Sequence, residues 1–243
     1  MAPVWHTIVL IVGILAISAT GPSRVASPNV AIHRMAAYSA TIASELILFG
    51  WVWFGLRLRK ISLRSLFGSI PTGIGSIALD CGIAAAFWLG SMIVLAGLGL
   101  IWQTIEAAVE HKPWMEASTS QLKTAHTLSQ LAPSNGREIA MWVLVCLVAA
   151  FVEEAVFRGY LQRQFSAWAR GSAVVGVIFS AVMFGSAHAY EGVRSMFLIA
   201  VFGALFSLLA LFRRSLRPGM IAHFSQDLLV GLLLALLHAM RLV

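Results

Sequence analysis

Two adjacent glutamates, Glu153 and Glu154, are the residues best suited to chemistry, and Arg158 follows four residues later. They come directly after an apolar run at 139–151, so their charges fall where membrane hydrocarbon is expected. Because charge at that depth is costly, an ionisable cluster there indicates a functional site. On a helix, Glu154 and Arg158 share a face and can form an ion pair. Glu153 lies about 100° round the helix, with no cation one turn away, and is predicted to be the carboxylate available for chemistry.

Two later segments add polar side chains to apolar helices. His188 follows Phe184 by one turn, and His223 and Asp227 are spaced to lie on one helix face. Taken alone, His188 fits an interfacial histidine, and the second segment fits a polar helix start. Polar groups in a low-dielectric interior must nevertheless find partners. The spacing therefore predicts that these residues converge with the glutamates.

The composition is that of a membrane protein. The 243 residues are 59% apolar and 11% charged, with a mean hydropathy of +0.86, whereas soluble domains are about half apolar and about a quarter charged. The fold class is therefore predicted to be all-α, a polytopic transmembrane helical bundle. The net charge of +7 comes from basic residues spread over short loops, which argues against a nucleic-acid partner. Cys81 and Cys146 lie in apolar runs and predict no disulfide framework.

Apolar runs of roughly 17–25 residues predict about seven spans. They lie near 4–20, 35–56, 75–102, from 139 onward, 172–190, 196–212 and 220–240, so the candidate catalytic groups fall on the fourth, fifth and seventh. No Lys or Arg precedes the first run, which favours a retained helix over a cleaved signal peptide. The one long polar segment, 105–138, is predicted to lie outside the membrane. Part of it is predicted to be a surface helix, from a weak amphipathic stripe at Met115, Leu122, Ala125 and Leu128.

The basic residues cluster after the second, fourth and sixth spans. The positive-inside rule places these loops, and with them the N-terminus, in the cytoplasm. A count along the spans then puts Glu153 and His223 near the cytoplasmic face and His188 near the outer end of the fifth span. These depths are too far apart for a shared water. Either the fourth span extends into the cytoplasm or the fifth starts deeper.

Other ionisable residues in or near the spans carry weaker signals. Glu45 and Asp80 could line a cavity or pair with a basic side chain, and structural roles are predicted for both. The remaining histidines are predicted to be interfacial or solvated: His6, His33, His111, His126 and His238.

The three polar segments resemble the motifs of a known family. Residues 153–158 match EExxxR, residues 184–188 match FxxxH, and residues 223–227 match HxxxN/D. These are the motifs of the CPBP family, the CAAX-protease and bacteriocin-processing intramembrane proteases, also called the Abi family. The resemblance covers about the last hundred residues, and the first three spans carry no signature. It suggests N-terminal spans at 1–138, with the extramembrane loop at about 105–138, and a catalytic core at 139–243, within one integrated membrane domain.

The resemblance implies an intramembrane endopeptidase of the bacterial inner (plasma) membrane, acting on a membrane-attached or membrane-inserted substrate without a cofactor. Eukaryotic relatives remove the C-terminal tripeptide from prenylated CAAX proteins. By motif position, Glu153 and His188 would activate the attacking water, His223 and Asp227 would stabilise the oxyanion, and Glu154 and Arg158 would support them. Asp227 stands where the family also has Asn. Because an ionised Asp cannot donate to an oxyanion, Asp227 is predicted to orient His223.

Two alternatives remain open at this point. Glu153, His188 and His223 could together bind zinc, as in a metalloprotease. The usual HExxH motif is absent, which favours the metal-independent mechanism. The same fold could also serve as a non-proteolytic membrane scaffold or immunity protein, because function belongs to sites rather than folds.

Overall fold

A computed structural model of the protein describes residues 1–19, 33–68, 73–117 and 129–240. These ranges are helical and contain no β-strand, and a single β-bridge joins Gly68 and Ser215. The long helices are α1 (Val4–Ala19), α2 (Arg34–Leu58), α3 (Ile74–Val109), α4 (Gly136–Trp168), α5 (Ala173–Ala187), α6 (Val193–Arg213) and α7 (Arg217–Ala239). Short turns of helix lie at Arg64–Phe67, Trp114–Ala117 and Ala189–Glu191. Leu122, Ala125, His126 and Leu128, and the side chain of His238, lie outside the described residues.

The helices coincide with the seven apolar runs in the sequence. Five of them, α2, α3, α4, α6 and α7, are long and apolar enough to cross a membrane. The other two, α1 and α5, have 16 and 15 residues and are shorter than the range of about 17–25 expected of a span. Large apolar side chains such as Ile93 and Phe212 point outwards, as expected of helices surrounded by lipid. The predicted all-α, polytopic bundle is confirmed, and the chain is a multi-pass integral membrane protein.

One face of the N-terminal helix α1 packs against the bundle, while Ile8 and Val12 on its other face are exposed. Its Leu10 and Ile14 belong to the main buried cluster, which also contains Val52 and Leu56 of α2 and Val156 of α4. Because lipid is as apolar as these side chains, close van der Waals packing rather than removal from water holds them together. The helix therefore forms part of the wall around the polar residues of α4.

A buried polar network ties α1 to α4, and it corrects one prediction. His6 is fully buried rather than interfacial. Its Nε2 lies 2.8 Å from the carbonyl of Trp51 and its Nδ1 lies 3.0 Å from the hydroxyl of Tyr160. Because a carbonyl only accepts, Nε2 carries the hydrogen and Nδ1 accepts from Tyr160. Thr7 and Gln164 complete the network, so His6 is satisfied inside the bundle and does not need the interface.

Asp80 joins α3 to the junction between α6 and α7. Its Oδ2 lies 2.7 Å from Nε of Arg217, and its Oδ1 lies 3.2 Å from a terminal nitrogen of Arg213. The carboxylate is buried, while both arginines are partly exposed. Asp80 therefore has the structural role predicted for it, holding the start of α7 against α3.

The α4–α5 hairpin explains how Glu153 and His188 can lie at a similar depth in the membrane. Helix α4 runs on to Trp168, and a short turn with left-handed backbone at Arg170 (φ 53°) and Gly171 (φ 90°) reverses the chain into α5. The number of residues from Glu153 to Trp168 equals the number from Ala173 to His188. At about 1.5 Å per residue, each arm of the hairpin is therefore about 22 Å long. Ser180 ties the arms together by donating to the carbonyl of Phe157 at 2.7 Å. The extended fourth span thus brings Glu153 and His188 to a similar level.

Candidate active site

The two glutamates lie at a change of helix type. Glu153 ends the α-helical part of α4, and Glu154 begins a π-helical segment, Glu154–Leu161, in which every residue is buried. π-helical turns inside α-helices are rare and occur often at functional sites. In this segment Glu154 and Arg158 face the interior, while Glu153 is only partly buried.

The predicted ion pair between Glu154 and Arg158 is present. A terminal nitrogen of Arg158 lies 3.1 Å from Oε1 of Glu154, and both side chains are almost wholly excluded from solvent. The guanidinium also lies 4.1 Å from the ring centre of Phe184 and 5.1 Å from that of Phe206. Such contacts with aromatic faces favour a desolvated cation. Arg158 is therefore held in place by a carboxylate and by two aromatic rings from α5 and α6.

His223, near the start of α7, sits among three carboxylates. Its Nδ1 lies 3.2 Å from Oε1 of Glu154. Its Nε2 lies 3.6 Å from Oε2 of Glu153 and 3.5 Å from Oδ2 of Asp227. Ionised carboxylates only accept hydrogen bonds, so the surroundings suit a ring that donates from both nitrogens, the imidazolium.

The contact between Glu154 and His223 was not predicted from the sequence. Spacing along one helix shows that Arg158 can reach Glu154, but it does not show which residue of another helix approaches. Glu154 therefore has two partners, the cation of its own helix and the histidine of α7. Glu154 thus holds His223 in position in addition to neutralising Arg158.

His188 ends α5 and has its orientation set by the backbone. Its Nδ1 donates to the carbonyl of Phe184 at 2.9 Å. Because the carbonyl can only accept, the lone pair of the neutral ring is left on Nε2. The FxxxH spacing thus has a physical reason. Phe184 supplies the carbonyl that fixes the histidine tautomer, and its ring packs against Arg158 and His223.

Glu153 and His188 line one cavity of about 200 Å³ between α1, α2, α4 and α5. Oε2 of Glu153 has no hydrogen-bond partner within the described ranges, and His188 uses its Nδ1 to bind the carbonyl of Phe184. A cavity of this size holds several waters or a short piece of peptide. The two residues therefore line the same cavity, and their shared catalytic role stays a prediction.

Part of the cavity wall comes from helices that carry no motif. Ser18 of α1 and Thr41, Ser44 and Glu45 of α2 form a polar side of the cavity. Oε2 of Glu45 is buried and has no hydrogen-bond partner among the described residues. Glu45 therefore lies in the cavity instead of pairing with a basic side chain. The only sequence signal for it was a carboxylate inside an apolar run.

The alternative zinc site is not assembled in this arrangement. In the parts of the chain that the structure describes, no group of three or more His, Cys, Asp or Glu side chains is placed to hold a metal ion. Glu153 and His223 are neighbours, but His188 stands across the cavity with its Nδ1 committed to Phe184. The donor set Glu153, His188 and His223 would have to move together to bind one ion.

Comparison with known proteins supports the same segment of the chain. Residues 135–229 match the family model described as "Type II CAAX prenyl endopeptidase Rce1-like". Searches among curated proteins and among solved structures gave no significant match. The matched segment contains Glu153, Glu154, Arg158, His188, His223 and Asp227. The matching model therefore agrees with the resemblance to the CPBP family of CAAX-type intramembrane proteases that the three motifs carry.

Proposed function

We propose that this protein hydrolyses a peptide bond of a membrane-attached or membrane-inserted substrate, using a water activated by Glu153 and His188 and no metal ion. The observation that carries the proposal is the shared cavity, which is lined by the Glu153 carboxylate and by a histidine whose Nδ1 is bound to the backbone and whose Nε2 is left open. Oε2 of Glu153 has no hydrogen-bond partner among the described residues and lies 3.6 Å from Nε2 of His223. A base for a water proton and a second acceptor to orient that water are therefore both available.

The proposed chemistry needs only these side chains and water. Glu153 takes a proton from the water as its oxygen bonds to the scissile carbonyl carbon, and His188 Nε2 accepts a hydrogen bond from the same water. The C–N bond then breaks, and the proton passes to the leaving amine. Enclosure within the helices strengthens each of these electrostatic interactions relative to water.

His223 is proposed to stabilise the negative charge that develops on the carbonyl oxygen. Its ring lies next to Glu153 and is held by Glu154 at Nδ1 and by Asp227 near Nε2. Glu154 contacts the histidine and Arg158 pairs with Glu154, and neither lines the cavity, so both act as positioning residues. The buried ion pair thereby fixes the donor that the reaction uses.

The substrate is proposed to enter from the bilayer. The cavity wall contributed by α1 and α2 includes Ile14, Ile17 and Leu48, and the outer faces of these helices carry exposed apolar residues such as Val12 and Ile47. A substrate tethered by a lipid or a transmembrane segment would reach the cavity between them. The positive-inside rule favours a cytoplasmic N-terminus, and the family resemblance favours a bacterial plasma membrane; both are part of the proposal.

Cleavage of a membrane-tethered reporter is expected to be insensitive to chelators. Purified protein in lipid nanodiscs is incubated with a prenylated CAAX peptide and with an unmodified transmembrane peptide, with and without a strong zinc chelator. Because no metal takes part in the proposed steps, the rate should be the same in both conditions. Loss of cleavage on chelation, with recovery on adding Zn²⁺, would establish the metalloprotease, and intact peptide under every condition would indicate a scaffold.

Replacing Asp227 by asparagine is expected to keep the fold and to lower the cleavage rate on the order of tenfold, the effect of losing one charge-assisted contact. The side chain is about one-third exposed and lies 3.5 Å from Nε2 of His223, so the neutral amide fits the same space. Cleavage rate and melting temperature are measured together. A more active asparagine variant would mean that residue 227 donates to the oxyanion and does not orient the histidine.

A further inference from the structure

A second cavity, of about 430 Å³, lies where α4 and α6 end and α5 and α7 begin. Its lining includes Arg158, Arg163 and Arg214, together with Gln162, Ser166 and Ser215. Among the described residues that line it, none is acidic. The cavity therefore concentrates positive charge at one end of the bundle, on the side away from Glu153.

Two of the positive charges in this cavity, those of Arg163 and Arg214, are not neutralised by a carboxylate within the described ranges. Arg163 donates to the backbone carbonyls of Ser65 and Leu66 at 2.6 and 3.1 Å. Carbonyls hold the guanidinium in position and leave its charge uncompensated. Neither Arg163 nor Arg214 forms an ion pair within the described ranges. Their neighbours Arg213 and Arg217, by contrast, are paired with Asp80.

Arg158 closes the inner side of the cavity. It is 2% exposed, and its Nε has no hydrogen-bond partner in the described part of the chain. Its pairing with Glu154 uses a different nitrogen. A buried guanidinium nitrogen without an acceptor is unusual, because buried polar groups are almost always hydrogen-bonded, and a ligand oxygen in the cavity would supply that acceptor.

We propose that this cavity binds a phosphate group, carried by the headgroup of an anionic membrane lipid. Guanidinium groups are the preferred partners of phosphate oxygens because their donors form a planar fork. Basic pockets between transmembrane helices at the cytoplasmic face are suited to anionic lipid headgroups, and the basic loops put this end of the bundle at that face. The seryl and glutaminyl side chains add neutral groups that can hydrogen-bond the ester oxygens or the glycerol.

The test measures binding and does not depend on proteolysis. Dihexanoyl phosphatidylglycerol and dihexanoyl phosphatidylcholine are titrated separately into the purified protein in a non-ionic detergent, and the melting temperature is followed to obtain a Kd. In a parallel arm, inorganic phosphate is compared with chloride at equal ionic strength. Phosphatidylglycerol is expected to bind, and phosphatidylcholine is not expected to raise the melting temperature.

Variants locate the site. Each arginine near an anionic headgroup contributes about a fivefold gain in binding, so R163Q/R214Q is expected to weaken phosphatidylglycerol binding by about 25-fold. The matched control is R57Q/R59Q, which removes the same charge from exposed positions at the end of α2 and should change the Kd by less than about twofold. If R163Q/R214Q does not fold because the contacts to Ser65 and Leu66 are lost, R214Q alone is expected to weaken binding about fivefold.

Equal weakening by the control pair, or unchanged binding in R163Q/R214Q, would overturn the proposal, because attraction would then come from the overall charge of the protein. If inorganic phosphate stabilises the parent but not R163Q/R214Q, and the lipid adds nothing further, the phosphate site stands and the lipid is rejected as its source. None of these outcomes depends on whether the protein cleaves peptides, so the two proposals fail independently.

Discussion

The E153Q variant is expected to fold at least as well as the parent and to lose peptide cleavage by about 10²–10⁴-fold, the usual contribution of a general base. Glutamine has the same shape as glutamate but cannot accept the water proton. Oε2 of Glu153 is buried without a hydrogen-bond partner among the described residues. Removing its charge relieves a desolvation cost and breaks no hydrogen bond at that atom. It gives up the 3.6 Å contact with Nε2 of His223, which keeps Glu154 and Asp227 as partners.

The matched control is E138Q, which makes the same change near the start of α4. Glu138 makes a partly exposed contact with Arg34 at 3.4 Å and lies outside both cavities, so cleavage should be retained. Rates and melting temperatures are measured side by side. Retained cleavage in E153Q would remove Glu153 as the base and move that role to Glu154.

A H188A variant is expected to lose activity to a similar extent, because the water would lose its second acceptor. Residues that act as a unit are not additive, so E153Q/H188A should be little worse than either single variant. If the losses of cleavage rate in the two single variants multiplied in the double variant, the two residues would instead act in separate steps.

Removing the cation in R158A is expected to cost about 3–5 kcal/mol, the typical penalty for leaving one member of a buried ion pair without its partner. Glu154 is 1% exposed and cannot turn to solvent. His223 is its remaining partner, and the rings of Phe184 and Phe206 would face an empty space. The yield of folded protein, the melting temperature and the cleavage rate should all fall.

Two comparisons separate this effect from a general loss of charge. R34A breaks a partly exposed pair with Glu138 and should cost only about 0–1 kcal/mol. The double variant E154Q/R158M removes both charges of the buried pair and should recover part of the lost melting temperature, since no unpaired ion remains. A well-folded and fully active R158A protein would show that the pair has no structural role.

Apolar runs and motif spacing are strong signals in a membrane protein. They gave the positions of all seven long helices and the pairing of Glu154 with Arg158, because both depend on residues close in sequence. The predicted fifth run extended past the end of α5, because the residues after Ala187 form a separate short turn of helix at Ala189–Glu191. The π-helical segment Glu154–Leu161 could not be predicted from the sequence either, because the change of helix type depends on contacts with other helices.

Most contacts between helices could not be predicted from the sequence. The burial of His6 depends on Trp51 and Tyr160, which are distant in the chain. The second partner of Glu154, His223, comes from another helix, and the polar side of the active-site cavity comes from α1 and α2, where no motif marks Ser18 or Glu45. Periodicity shows which residues share a face of one helix, but it does not show which helix that face meets.

The hairpin of α4 and α5 makes insertions and deletions in its two arms interdependent. One residue added between Glu153 and Trp168 would turn Glu153 by about 100° and displace it by about 1.5 Å, away from His188. A change of the same kind between Ala173 and His188 would move the histidine instead. Only whole turns, gained or lost in both arms at once, would keep the two residues facing the same cavity. The length of this hairpin thus constrains the proposed site as much as the residues at its open end do.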